Sequence, residues 1–152
     1  VIPTEKVDPS DSERYTANGG LRSYGSMTYA GFKSMLYAGL TKDDPRTKAA
    51  VQWISDNYSV SQNPGQGTAG LYYYYQLFGS ALAASGMNEL ATKDEGARDW
   101  RMDLVIELTK SQQPDGSWTN ANRQWMENDP NLCTAFALMA LANCDDKSAN
   151  PE

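Results

Sequence analysis

The chain contains no histidine, which removes the commonest zinc ligand and the commonest general base at neutral pH. Cysteine is nearly as scarce: Cys133 and Cys144 are too few for a disulfide framework. If their shared apolar segment is helical, they sit ~16 Å apart, beyond bridging distance. Both are expected to be free core thiols that say nothing of the redox compartment. Basic residues are the minority, 13 against 19 acidic, for a net charge of -6. With a pI near 4.6 the chain lacks the basic patch of a duplex nucleic-acid binder. Long hydrophobic runs are lacking too. The longest, about Leu71 to Ala84, falls short of the roughly 20 residues a bilayer span needs and carries tyrosine hydroxyls, Gln76 and Ser80. These shortages speak against a metal site, a disulfide scaffold, a nucleic-acid partner and a membrane span, and no cofactor is implied.

With 152 residues, 40% of them hydrophobic and 21% charged, the chain suits one globular domain or part of a larger one. Residues 1–20, with Pro3, Pro9 and Asn18-Gly19-Gly20, read as an extended lead-in, and residues 145–152 as a tail. The domain proper is expected over residues 21–144. The start at Val1-Ile2-Pro3, without methionine, leads us to expect a trimmed beginning with any targeting segment upstream.

Five helical segments are legible between the breaks. The first, about Ser26 to Leu40, has Lys33 as its only charge. The second, about Pro45 to Tyr58, opens with Asp44 as N-cap and proline at the first helical position, and places Ala50, Trp53, Ile54 and Tyr58 on one face. The third, about Thr68 to Ser85, is uncharged. The fourth, about Ala97 to Gln112, sets Ala97, Trp100, Leu104 and Leu108 against Asp103, Glu107 and Lys110. The fifth, Asn131 to Asn143, is again uncharged. No segment reads as a sheet. A helix apolar all round must be covered all round, whereas an amphipathic one keeps a wet face. The alternation therefore predicts an all-α fold of helical hairpins in two layers, as in an α-solenoid or an α/α barrel.

Two stretches suggest an internal repeat. Gly25-Ser26-Met27-Thr28-Tyr29-Ala30 opens the first uncharged helix and Asn131-Leu132-Cys133-Thr134-Ala135-Phe136 the last, each with a threonine one turn in. Their separation, roughly a hundred residues, leaves room for one intervening unit of about 40–50 residues. Between them lies Gln113-Pro114-Asp115-Gly116-Ser117-Trp118. Pro-Asp-Gly is a turn by ordinary backbone chemistry; the flanking glutamine and tryptophan are not required by it. This pattern resembles the QW repeat of the squalene and oxidosqualene cyclases, shared more loosely with protein prenyltransferase β subunits. The broader prenyltransferase and squalene oxidase repeat proteins look closest, over about Gly19 to Asn143. The resemblance implies a partial α/α toroid, with Gln113, Gly116 and Trp118 as its structural motif. In that family the glutamine and tryptophan stack and hydrogen-bond, tying outer helices to their neighbours.

The family's chemistry is not matched. Asp43-Asp44 and Asp145-Asp146 lack the Asp-x-Asp-Asp context of a cyclase acid, Asp-Asp-x-x-Asp is missing, and a prenyltransferase zinc site would need histidine. Three features still bear on function. Tyr72, Tyr73, Tyr74 and Tyr75 cover every face of one helical turn and either line a ligand cavity or pack between helices with their hydroxyls on backbone carbonyls. Glu127 and Asp129, beside Trp125, are the candidates for acid–base work on a sugar; the alternative makes Asp129 a helix cap and Glu127 a solvated loop charge. Gly65, Gly67 and Gly70 either admit a ligand to the backbone or serve the loop and helix start.

Three readings follow. The first is a repeat domain, non-catalytic as it stands, that binds an apolar, isoprenoid-like ligand or a protein partner. The second is a fragment of a terpenoid cyclase- or prenyltransferase-like enzyme with its catalytic residues elsewhere. The third is a carbohydrate-active α/α barrel using Glu127 and Asp129. Because five helices cannot close a ring, a homodimer or a missing segment of a longer chain is expected.

Overall fold

The computed structural model describes residues 15–16, 20–93 and 96–145. The expected lead-in and tail therefore lie almost wholly outside the described residues. Five α-helices dominate: α1 (Gly25–Tyr37), α2 (Pro45–Asp56), α3 (Leu71–Ser85), α4 (Trp100–Ser111) and α5 (Pro130–Leu141). A small antiparallel hairpin, β1 (Glu89–Thr92) and β2 (Gly96–Asp99), sits between α3 and α4. The chain is thus mostly helical, and the expectation of no sheet is corrected by this hairpin.

The correction has a local cause. Asp99 accepts hydrogen bonds from the backbone N–H groups of Arg101 (3.0 Å) and Met102 (3.1 Å), so α4 starts at Trp100 and not at Ala97. Ala97 and Arg98 are left in β2, paired with Ala91 and Leu90. Arg98 then grips Asp103 through two bonds of 2.8 and 2.6 Å, and Tyr58 donates to the same carboxylate at 2.7 Å. That cluster ties the hairpin to α4 and to the turn that follows α2. Burial alone would raise the Asp103 pKa, but the bonds from Arg98 and Tyr58 outweigh it and hold the carboxyl below its usual range.

Helix α3 lies between α1 and α5, α2 packs on α1, and α4 touches α3 and α5. Contact pairs give the directions. Tyr29 of α1 meets both Tyr74 and Phe78 of α3, and Gly25, one turn earlier, lies against Tyr74. On the other side Tyr73 meets Phe136, and Gly79, further along, lies against Ala140. Helices α1, α3 and α5, whose only charge is Lys33, are therefore parallel. Helix α4 runs the other way: Trp100, at its start, meets Phe78, whereas Ser111, at its end, bonds Tyr72 at the start of α3. The uncharged character is spent unevenly. Nine residues of α3 are buried, whereas α5 buries Cys133, Ala137 and Ala140 and leaves Leu138 and Met139 exposed.

Gly25 shows how close α1 and α3 come. A Cβ there would lie 2.6 Å from Asn63 Oδ1, 2.7 Å from Pro64 Cδ and 2.8 Å from the Tyr74 ring, so no side chain fits without displacement. The Asp44 cap is as expected: its carboxylate accepts from Arg46 N at 2.9 Å, with Pro45 following. Among the described residues no helix is long and apolar enough to cross a membrane, and no group of His, Cys, Asp or Glu could hold a metal ion.

Burial gives the tyrosines an alkaline signature. Desolvation raises the pKa of Tyr29, Tyr58, Tyr74 and Tyr75, with the Asp103 contact adding to it at Tyr58. A folded pKa above the unfolded value of about 10 leaves stability intact below that pH. Above it the unfolded state sheds protons first, so stability falls as pH rises. In a titration followed at 295 nm, these phenols should ionise only together with unfolding; gradual ionisation in a folded chain would contradict the packing.

Candidate functional site

The amino-terminal ends of the three parallel helices meet at a cavity of about 700 Å³. Helix α1 contributes Ser26 and Met27, α3 contributes Tyr73, and α5 contributes Leu132 and Phe136. The rest of the wall comes from the turns before them, including Leu21, Tyr24, Gly70 and Trp125. The volume falls within the range of small-molecule sites, and the lining is largely apolar.

Each helix end is closed differently. Helix α5 is capped by Asp129, which accepts from Asn131 N at 2.8 Å. Helix α1 starts at Tyr24, which makes no side-chain cap; Asn63, 37 residues away, accepts from Ser26 N at 3.1 Å and donates to Ser26 Oγ and Ala69 O. Helix α3 starts at Gly70, whose φ of 62° suits glycine and which has no side chain to offer. Its cap is supplied by Glu127, 54 residues on, whose Oε1 accepts from Tyr73 N at 2.9 Å. The other oxygen accepts from Asn120 Nδ2 at 2.8 Å, and that amide nitrogen also donates to Thr68 O.

Glu127 is 0% exposed. The expectation of a solvated loop charge is corrected: this carboxylate is buried, lines the cavity and forms no ion pair among the described residues. Its compensation is two hydrogen bonds and the positive end of α3. Its carbonyl accepts from Asn120 N at 2.8 Å and from the Cys133 thiol at 2.9 Å. Burial, with the Glu127 charge adding to it, pushes Cys133 up to about 11, so the thiol stays protonated.

Asn120 and Glu127 thus close a loop whose tip is the turn Gln124–Met126. Two Asx turns build it, Asn120 accepting from Asn122 N and Asn122 from Gln124 N. At the tip Trp125 and Met126 both have φ of 62°, the left-handed region that non-glycine residues avoid. They are also 67% and 72% exposed, on the cavity rim. Trp125 lies over Gly70, where a Cβ would come within 3.4 Å of the indole.

The four tyrosines divide. Tyr74 and Tyr75 are buried and donate to the carbonyls of Ser59 (2.6 Å) and Val60 (2.8 Å), and Tyr72 points to the Thr119 carbonyl at 3.4 Å. These three match the packing alternative. Tyr73 alone is 38% exposed and lines the cavity with Trp125 and Glu127. Asp129 is not among the lining residues, so the structure does not place the two candidate carboxylates together in the cavity. Gln113, Gly116 and Trp118 lie outside it as well. Trp118 is buried, donates from Nε1 to the Leu108 carbonyl of α4 at 2.8 Å, and from its backbone to Thr134 Oγ1 of α5. Gln113 bonds the Thr119 hydroxyl where the resemblance implies stacking on the tryptophan. Thr28, the proposed counterpart of Thr134, bonds the Tyr24 carbonyl of its own helix start.

Sequence reasoning missed Asn63, Asn120 and Met126. Asn63 stands in a legible turn, Asn63-Pro64-Gly65, yet nothing local marks its side chain as the cap of a helix 37 residues away. The chain matches no protein-family model, no curated protein and no solved structure.

Proposed function

We propose that the chain is a squalene cyclase- and prenyltransferase-like repeat domain, part of an α/α toroid, that binds an apolar, isoprenoid-like ligand and is non-catalytic as it stands. The observation that carries this reading is the cavity itself: about 700 Å³, largely apolar, at the convergent amino-terminal ends of α1, α3 and α5, with exposed aromatic and thioether side chains on its rim. The parallel, nearly uncharged helices α1, α3 and α5, alternating with α2 and α4, support the toroid reading. The non-catalytic reading rests on the carboxylates: Asp129 is engaged as the cap of α5, and Glu127 as the cap of α3.

Farnesol is a suitable probe, followed by tryptophan emission, because Trp125 is the one tryptophan among the lining residues. Tyr73→Ala should weaken binding about tenfold, the contribution of one apolar aromatic contact. Trp125→Leu should abolish the emission change, while Tyr74→Phe, away from the cavity, should leave affinity as it is. Unaltered affinity in Tyr73→Ala together with an emission change that persists in Trp125→Leu would remove the cavity from the account.

A further inference from the structure

A ring of helix amino termini with unmet N–H donors is an anion site, the arrangement that would hold a phosphorylated ligand by its head. In this chain the amino termini around the cavity have been given acceptors of their own. Ser26 N meets the Asn63 amide, Tyr73 N meets the Glu127 carboxylate, and Asn131 N meets the Asp129 carboxylate. Two of the three acceptors carry negative charge. One of these, Glu127, is fully buried, lines the cavity and stands beside the aromatic faces of Tyr73 and Trp125.

Two lining residues bear a carboxylate or guanidinium group, Glu127 and Arg22. They are not equivalent. Arg22 is exposed on the rim, where its Nε donates to the Tyr15 carbonyl at 3.2 Å and solvent screens its charge. Glu127 acts from a site without water, where a charge is felt further. A ligand head entering between α1, α3 and α5 therefore meets a negative field from Glu127 and π faces that attract cations and not anions.

From this we infer that the cavity discriminates by head-group charge: it takes apolar chains whose head is neutral or cationic and rejects the same chains bearing phosphate or carboxylate. Glu127 is the residue that sets this selectivity, acting on the head group through its field and not by proton transfer. The inference rests on the cavity reading above and narrows it to a ligand class.

The test is a binding series of one chain length, geraniol, geranylamine and geranyl phosphate, on the full chain at fixed ionic strength. Geranyl phosphate should bind at least about tenfold more weakly than geraniol, and geranylamine at least as tightly as geraniol. Simple steric exclusion of the bulkier phosphate would leave amine equal to alcohol and would persist without the Glu127 charge, so a variant separates charge from size. In Glu127→Gln, which keeps an acceptor for Tyr73 N, the gap between alcohol and phosphate should narrow to within about threefold. Phosphate binding as tightly as alcohol, or a full gap in folded Glu127→Gln, would overturn the charge selectivity and leave the cavity reading standing. Failure of all three to bind would take down the cavity reading, and this inference with it.

Discussion

Glu127→Ala is expected to destabilise the fold by about 3 kcal/mol, with a fall in Tm on the order of 10 °C. The truncation leaves the N–H of Tyr73 without its acceptor and takes one of two from the Asn120 amide, in a site that water does not reach. Each unmet buried donor costs roughly 1–3 kcal/mol. Releasing an isolated buried charge returns part of that, which keeps the estimate below the sum. Asp129→Ala is the control, since it removes a cap of the ordinary kind on an exposed residue and should cost only about 1 kcal/mol. Denaturant unfolding of both variants gives the comparison. A loss below 1 kcal/mol for Glu127→Ala would mean that α3 does not depend on its distant cap.

Trp118→Ala should cost more, about 4 kcal/mol. The side chain is buried against the core, and its Nε1 bond reaches the Leu108 carbonyl near the end of α4. Its backbone N–H bonds Thr134 on α5, so one residue fastens α4 to the helix that follows. Trp118→Phe retains most of the apolar contact and loses the hydrogen bond, and about 1–2 kcal/mol is expected. Equal stability of the phenylalanine and alanine variants would show that the hydrogen bond, and not the packing, holds this junction. A cost below 1 kcal/mol for alanine would remove the tryptophan from the framework altogether.

Helix positions were legible because the signals for them are local. Asp44-Pro45 and Asp129-Pro130 each cap and start a helix within two residues, and the period of Ala50, Trp53, Ile54 and Tyr58 marks the face that packs inward. The hairpin was not legible. Its strands are four residues long, and the side chains that hold it, Arg98 and Asp103, read equally well as the charged face of a helix. The site was legible in part, and for one reason throughout. Four tyrosines in a row on a helix must point in different directions, so some had to pack and some had to face open space, but which one faces the cavity depends on where α1 and α5 lie. Glu127 was found as a residue and misplaced in its surroundings. A carboxylate two residues before a helix cap looks solvated until the loop from Asn120 folds back and carries it to the start of α3.

The central claim is that an apolar ligand occupies the space where α1, α3 and α5 begin. Its most direct test is a ¹⁵N amide spectrum of the chain titrated with farnesol. The account predicts that the amides of Met27, Gly70, Tyr73, Leu132 and Phe136 shift together and saturably, while those of α2 and the β1–β2 hairpin stay in place. Shifts confined to α2 and the hairpin, or no saturable shift at all, would contradict it.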